Sequence, residues 1–321
     1  MLCQVSNYGM KRHPPGVEVH ELMGTWDFKW PRYSIIRVAL QDPVGGGSFD
    51  RQALGVIQKK IADWNRATKN LLKLTLVPER LQAPRQAATP DQPGTAESVL
   101  SPEETSKPLV RYDALVSASP LPILKAATRT QPIARQIDFP AASLGTYCRR
   151  PAYGTPTVFI GRPASWAGGD DATWFKSPEF GFVVLHELGH VLGLVHEPQN
   201  PKRQVEAGDL WKDPDDIVQI VAKREGVTWP EEKLKIFVES QITGRWPGAL
   251  AYSDWRKPGE QASSSYIDSV MAKPLHGCLL KSTTCTVGSC TDRYRHEHYD
   301  HLGEPRPWDI EQLQSMYAPS R

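Results

Sequence analysis

Apolar positions along residues 33–78 recur with two different periods. In "YSIIRVAL" (33–40) and "LLKLTLVP" (71–78) short apolar runs predict strands. Between them, "FDRQALGVIQKKIADWNRATK" (49–69) sets Leu54, Ile57, Ile61 and Trp64 along one helical face. Farther on, "LVRYDALV" (109–116) and "TPTVFIG" (155–161) read as strands. A second helix is expected from Ser177, an N-cap residue followed by Pro178 at the first helical position, with Phe180, Val183 and Val184 at helical spacing. It runs into "LHELGHVLGLVHE" (185–197), where Gly193 is placed to take a left-handed conformation and turn the chain.

Two stretches interrupt the pattern. Residues 1–32 have little periodicity and read as an N-terminal arm, and residues 79–108, rich in Pro, Ala, Thr and Gln, read as a mobile insertion. At 321 residues the chain is long enough for one large domain or two lobes sharing a cleft.

Chemistry concentrates in the second helix. His186 and His190, four apart, project one above the other from one face, and the turn at Gly193 can return His196 to the same point. Three neutral imidazoles leave one tetrahedral position open on Zn2+, the arrangement of a catalytic site. Glu187 lies beside the ligands, placed to take a proton from water made acidic by the metal. Five fixed positions of the form HExxHxxGxxH recur by chance in roughly one chain in ten thousand or fewer of this length, given average residue usage. The triplet His20-Glu21-Leu22 repeats the start of the motif, but Gly24 stands where a second ligand is needed.

With "SSSYIDSVMAKP", which carries Ser269-Val270-Met271 downstream, the motif resembles the metzincin zinc endopeptidases, in which a methionine turn follows the zinc helix. Glu197, "HEPQNP" and the late segment "PWDIEQLQSMY" are similar to the astacin family, and the resemblance spans roughly residues 33–318. It implies an α+β, two-lobed catalytic domain over residues 33–321. A twisted mixed sheet with two long helices would form the N-lobe to about residue 193, and residues 194–321 an irregular C-lobe below the zinc cleft. It also implies one catalytic Zn2+, a protein or peptide substrate, and Met271 as an apolar floor beneath the imidazoles. A substrate-binding edge strand is expected ahead of the zinc helix, and Thr157, Val158, Phe159 and Ile160 are the candidates; a buried central strand reads nearly as well there. Glu197 is expected to orient His196. The family's tyrosine after the turn methionine is replaced by Lys273, so Tyr266 is the favoured oxyanion donor, with Lys273 the alternative.

Composition narrows the partners. A net charge of +2 gives no electrostatic reason to expect nucleic acid or a membrane surface, and no apolar run is long enough for a membrane span. The first residues lack the apolar core of a signal peptide, which leaves export after signal removal, unconventional export and retention inside all open; oligomeric state is not legible. Cys278, Cys285 and Cys290 suit a small disulfide loop, and five cysteines leave one unpaired in a monomer. His296, His298 and His301 lie among charges and read as a solvated loop, and the pair Asp170 and Asp171 is too small a set for a cation site. Two other functions fit the motif: a metal-retaining binding module, which would have no use for Glu187, and a hydrolase of non-peptide amides.

Overall fold

The computed structural model describes residues 4–6, 29–42, 49–82, 110–118, 121–122, 136–137, 140–149, 156–162, 169–194, 212–225, 230–237, 269–271 and 303–317. Its first half holds β1 (Gln4–Ser6), β2 (Ser34–Asp42), α1 (Arg51–Thr68), β3 (Leu72–Gln82) and β4 (Ala114–Ser117). A short pair, β5 (Leu121–Pro122) and β6 (Gln136–Ile137), precedes β7 (Ala141–Ser143), a 3-10 turn at Gly145–Arg149, and β8 (Val158–Phe159). Six strands form one mixed sheet in the order β1-β7-β8-β4-β2-β3. Strands β8, β4, β2 and β3 are parallel; β7 runs antiparallel to β8, and β1 lies parallel to β7.

The strand and helix periods predicted for residues 33–78 are present. Along β2, Ile36, Val38 and Leu40 enter the main core, while Ala39 joins Leu81 and Leu115 on the opposite side. Alternate residues of a strand face opposite ways, and a parallel sheet is covered on both faces. Helix α1 starts where Asp50 accepts the amide of Ala53 at 2.6 Å. Its buried stripe contains Ile57, Ile61 and Trp64, with Leu54 partly buried. Asn65 joins α1 to β3, its side chain donating to the carbonyl of Leu74 at 2.8 Å and accepting the same residue's amide at 2.7 Å. Lys60, buried on α1, donates to the carbonyl of Gly303.

Three sequence expectations change. Residues 157–160 are not an edge: β8 is hydrogen-bonded to β4 on one side and β7 on the other, and Thr157, Val158, Phe159 and Ile160 are all buried. An apolar strand paired on both sides and one at an edge share the same sequence pattern. Strand β3 continues to Gln82, into the segment expected as an insertion, and residues 83–109 lie outside the described residues. The expected N-terminal arm contributes β1 to the sheet and Trp30 to the core.

Beyond residue 194 the described residues include α4 (Pro214–Glu225) and α5 (Glu231–Phe237), which touch each other, and α6 (Pro307–Met316). The expected irregularity of the C-lobe falls largely on residues outside the described ones. Among the described residues, no helix is long and apolar enough to cross a membrane.

One buried carboxylate ties the sheet to the N-terminal segment. Asp113 accepts from the backbone amide of Arg37 at 2.7 Å and from the Nε atoms of Arg37 at 3.1 Å and Arg149 at 2.8 Å. The Arg149 guanidinium in turn lies 4.6 Å from the centre of the Trp30 ring. Burial pushes the Asp113 carboxyl up, but its hydrogen bonds and the two guanidiniums outweigh that and hold it below the ordinary value of 3.8. A carboxylate with a depressed folded-state pKa contributes stability that is present above its unfolded value and lost as pH falls through the folded one. Asp113→Asn should therefore cost about 1–2 kcal/mol at pH 7, a modest figure because both arginines are partly exposed. The difference from wild type should shrink as the medium is acidified below the ordinary aspartate range, in denaturant titrations at a series of pH values; a difference independent of pH would show that the charge of Asp113 contributes nothing.

Candidate metal centre

After the single turn of α2 (Asp171–Trp174), helix α3 (Pro178–Val191) begins as its sequence predicts. Ser177 Oγ accepts the amide of Phe180 at 3.1 Å, and Pro178 takes the first helical position, where no amide is needed. Most of its residues are buried, including His186, Glu187 and His190. A helix enclosed on every side is part of the core.

Burying a helix end requires partners for its last four carbonyls, and α3 finds all of them. Gly193, at φ 101, adopts the expected left-handed conformation. Its amide bonds the carbonyl of His190 at 2.9 Å, and the amide of Leu194 bonds that of Gly189 at 2.9 Å, the paired bonds of a Schellman turn. The carbonyl of Val191 accepts Trp30 Nε1 at 2.7 Å, and that of Leu192 accepts the Tyr317 hydroxyl at 2.7 Å. Tyr317 also receives the backbone amide of Trp30 at 3.4 Å, and burial pushes its phenol pKa up.

The same backbone fixes the imidazoles. His186 Nδ1 lies 2.6 Å from the carbonyl of Val270, and His190 Nδ1 lies 2.7 Å from that of Leu194. A carbonyl only accepts, so each neutral ring carries its proton on Nδ1 and its lone pair on Nε2. Ring centres are 4.8 Å apart, close enough for both Nε2 atoms to serve one ion. Backbone carbonyls on the far nitrogen are the usual outer support of metal-binding histidines, so this pair fits a zinc ion. Glu187, fully buried, lies next to His186 on the helix.

Among the described residues, no third His, Cys, Asp or Glu joins the pair. His196 and Glu197 lie outside the described residues, as do Tyr266, Lys273, the cysteines at 278, 285 and 290 and the histidines at 296, 298 and 301. Cys148 is a buried free thiol, its pKa pushed up to about 12 by burial. Asp170 caps α2 by accepting the Thr173 amide at 2.8 Å, and Asp171 pairs with Arg162 at 2.8 Å, so each carboxylate already has a local use.

Met271 lies beside α3. A Cβ placed on Gly189 would stand 2.5 Å from Met271 Sδ and 3.2 Å from Trp64 Cζ2, so the thioether lies against the helix backbone between the two histidines. Trp64 reaches the same helix by donating Nε1 to the carbonyl of Leu185 at 2.8 Å. The turn bearing Met271 is held by Asp309 of α6. Ser269 Oγ donates to Asp309 Oδ1 at 2.5 Å, and Oδ2 accepts the amides of Val270 at 3.1 Å and Arg306 at 2.9 Å. Burial raises the Asp309 carboxyl to about 6 against the pull of these bonds. Sequence reasoning missed Asp309, Tyr317 and Trp30 as supports of the site. The first two lie in "PWDIEQLQSMY", but a single acidic residue in a first helical turn reads as a surface capping group.

No family model matches the chain, and no curated protein does. Among solved structures, one of myroilysin superposes with a TM-score of 0.49 at 18% identity, covering 92% of this chain and 98% of that one. A second myroilysin structure gives a TM-score of 0.43 at 16% identity, covering 99% and 90%. High choriolytic enzyme 1, a hatching-enzyme zinc-protease from the medaka fish Oryzias latipes, gives 0.40 at 11%, covering 92% and 98%. At these TM-scores the functional reading rests on the residues of this chain.

The packing at Gly189 reverses an ordinary expectation. Glycine to alanine in a helix interior commonly stabilises by about 0.5–1 kcal/mol, and Gly55 of α1, with nothing within 4 Å of an added Cβ, should behave so. Gly189→Ala should instead destabilise by about 1 kcal/mol, since the enclosed Met271 thioether must shift. Denaturant midpoints compare the two, and stabilisation by both would remove Met271 from this position.

Proposed function

We propose that the chain is a zinc-dependent endopeptidase. The reading is carried by one observation: His186 and His190 each have Nδ1 held by a backbone carbonyl, which places the lone pair of each ring on Nε2, with ring centres 4.8 Å apart and the buried Glu187 next to His186 on the helix. His196 is proposed as the third ligand, following the spacing of the motif.

His186, His190 and the proposed third ligand His196 would hold the zinc, which when bound would supply Lewis-acid chemistry toward a carbonyl and a water. Glu187 would accept a proton from the attacking water as the water oxygen bonds to the carbonyl carbon, then deliver it to the departing nitrogen as the C–N bond breaks. His186 and His190 hold their rings fixed through Nδ1, so little reorganisation is needed as charge develops. Met271 closes the space against the helix with an apolar group that competes for neither water nor proton. Tyr266 is proposed as donor to the developing oxyanion and Glu197 as the residue that orients His196. A retained general base favours hydrolysis over simple metal retention.

Glu187→Ala should keep one zinc per chain and the fold while cleavage of an unbiased peptide library falls about 10²–10⁴-fold. His190→Ala should lose the metal as well, read by metal analysis of the purified protein. Undiminished cleavage by the Glu187 variant would sink the mechanism, and a wild-type protein that takes up no zinc would sink the assignment.

A further inference from the structure

The two imidazoles are held by carbonyls of very different origin. His190 depends on Leu194, part of the turn that ends its own helix, whereas His186 depends on Val270, 84 residues away. A peptide unit is planar, with its N–H and C=O on opposite sides. In the unit joining Val270 to Met271, the carbonyl end meets His186 Nδ1 at 2.6 Å, and the amide end donates to Ser269 Oγ at 3.0 Å. Ser269 Oγ can accept that amide in this orientation because its own proton is taken by Asp309 Oδ1. Asp309 Oδ2 fixes the preceding amide of Val270 and, reaching back as in a capping box, the amide of Arg306 at the start of α6. Ser269, Val270, Met271 and Asp309 are all buried, so water is a poor substitute for any of these bonds.

Resting on the metal-centre reading above, we propose that Asp309 is a positioning residue for His186, acting through the Ser269–Met271 turn to hold the ring with its proton on Nδ1 and its lone pair on Nε2. Neither amide orientation of an asparagine reproduces the arrangement. With its NH2 in the place of Oδ2 it faces two N–H donors, and in the place of Oδ1 it leaves the Ser269 hydroxyl proton without its acceptor. His190 shares none of these bonds and serves as an internal reference.

The test uses the full-length protein without metal, its histidines labelled with ¹⁵N, and long-range ¹H–¹⁵N correlation spectra that report which ring nitrogen bears the proton. Wild type should show the Nδ1–H form at both His186 and His190. Asp309→Asn should convert His186 to a mixture of ring forms and leave His190 unchanged. Ser269→Ala, which removes only the relaying hydroxyl, should do the same and carries the comparison if the Asp309 variant does not fold. Zinc affinity, measured by chelator competition on folded protein, should fall about 10- to 100-fold in either variant. Retention of the Nδ1–H form at His186 in the folded variants overturns the proposal, and so does an equal change at His190, which would signal general loosening. Absence of zinc uptake by the wild type would overturn the peptidase reading alone, since the ring spectra of the metal-free protein decide the positioning claim independently.

Discussion

The carbonyl end of a buried helix has to be satisfied by something other than water, and in this protein that requirement draws the architecture together at α3. Two of the four carbonyls are met by the chain's own reversal at Gly193 and Leu194, and two by Trp30 and Tyr317. A segment preceding the first long strand and a residue just past α6 thus converge on one point. The reversal that satisfies the helix also turns the carbonyl of Leu194 toward His190. One piece of backbone geometry therefore ends the helix and orients a candidate ligand.

Around this point the support is of two kinds. Trp64 and Met271 press against the α3 backbone from α1 and from the methionine turn, and close packing resists displacement of the helix. Asp309 and Ser269 add a polar network that specifies direction, since a hydrogen bond defines where a ring points and an apolar contact does not. Burial of so many polar groups is costly unless each is paired, which explains why the Ser269–Met271 turn, α6 and α3 interlock through backbone amides and carbonyls.

What was legible in the sequence was local. Ser177, Pro178 and Gly193 announce both ends of α3 within a residue or two, because caps and left-handed turns depend on neighbours along the chain. The spacing of Ile57, Ile61 and Trp64 gives the buried face of α1 for the same reason. Strand order was not legible: Val158 and Phe159 are apolar whether they sit inside a sheet or at its border, and only pairing with β4 and β7 places them inside. Asp309, Trp30 and Tyr317 carry no local signal of their supporting role because the partners that define it lie far away in sequence, Trp30 and Tyr317 being 287 residues apart. The pair His186 and His190 was readable from one helical turn, whereas the acceptors that decide their ring form were not.

The distances along the chain also set an order of events. The carbonyl of Leu192 waits for a hydroxyl 125 residues later, and the ring of His186 for a carbonyl 84 residues later. Synthesis proceeds from the N-terminus, and contacts between remote segments form only after loop closure has been overcome. While α3 is newly made, water must occupy the places of Tyr317 and Val270, and the helix end frays as exposed ends do. The final orientation of the His186 ring and the satisfied end of α3 are thus late acquisitions of the growing polypeptide, timed by the emergence of α6.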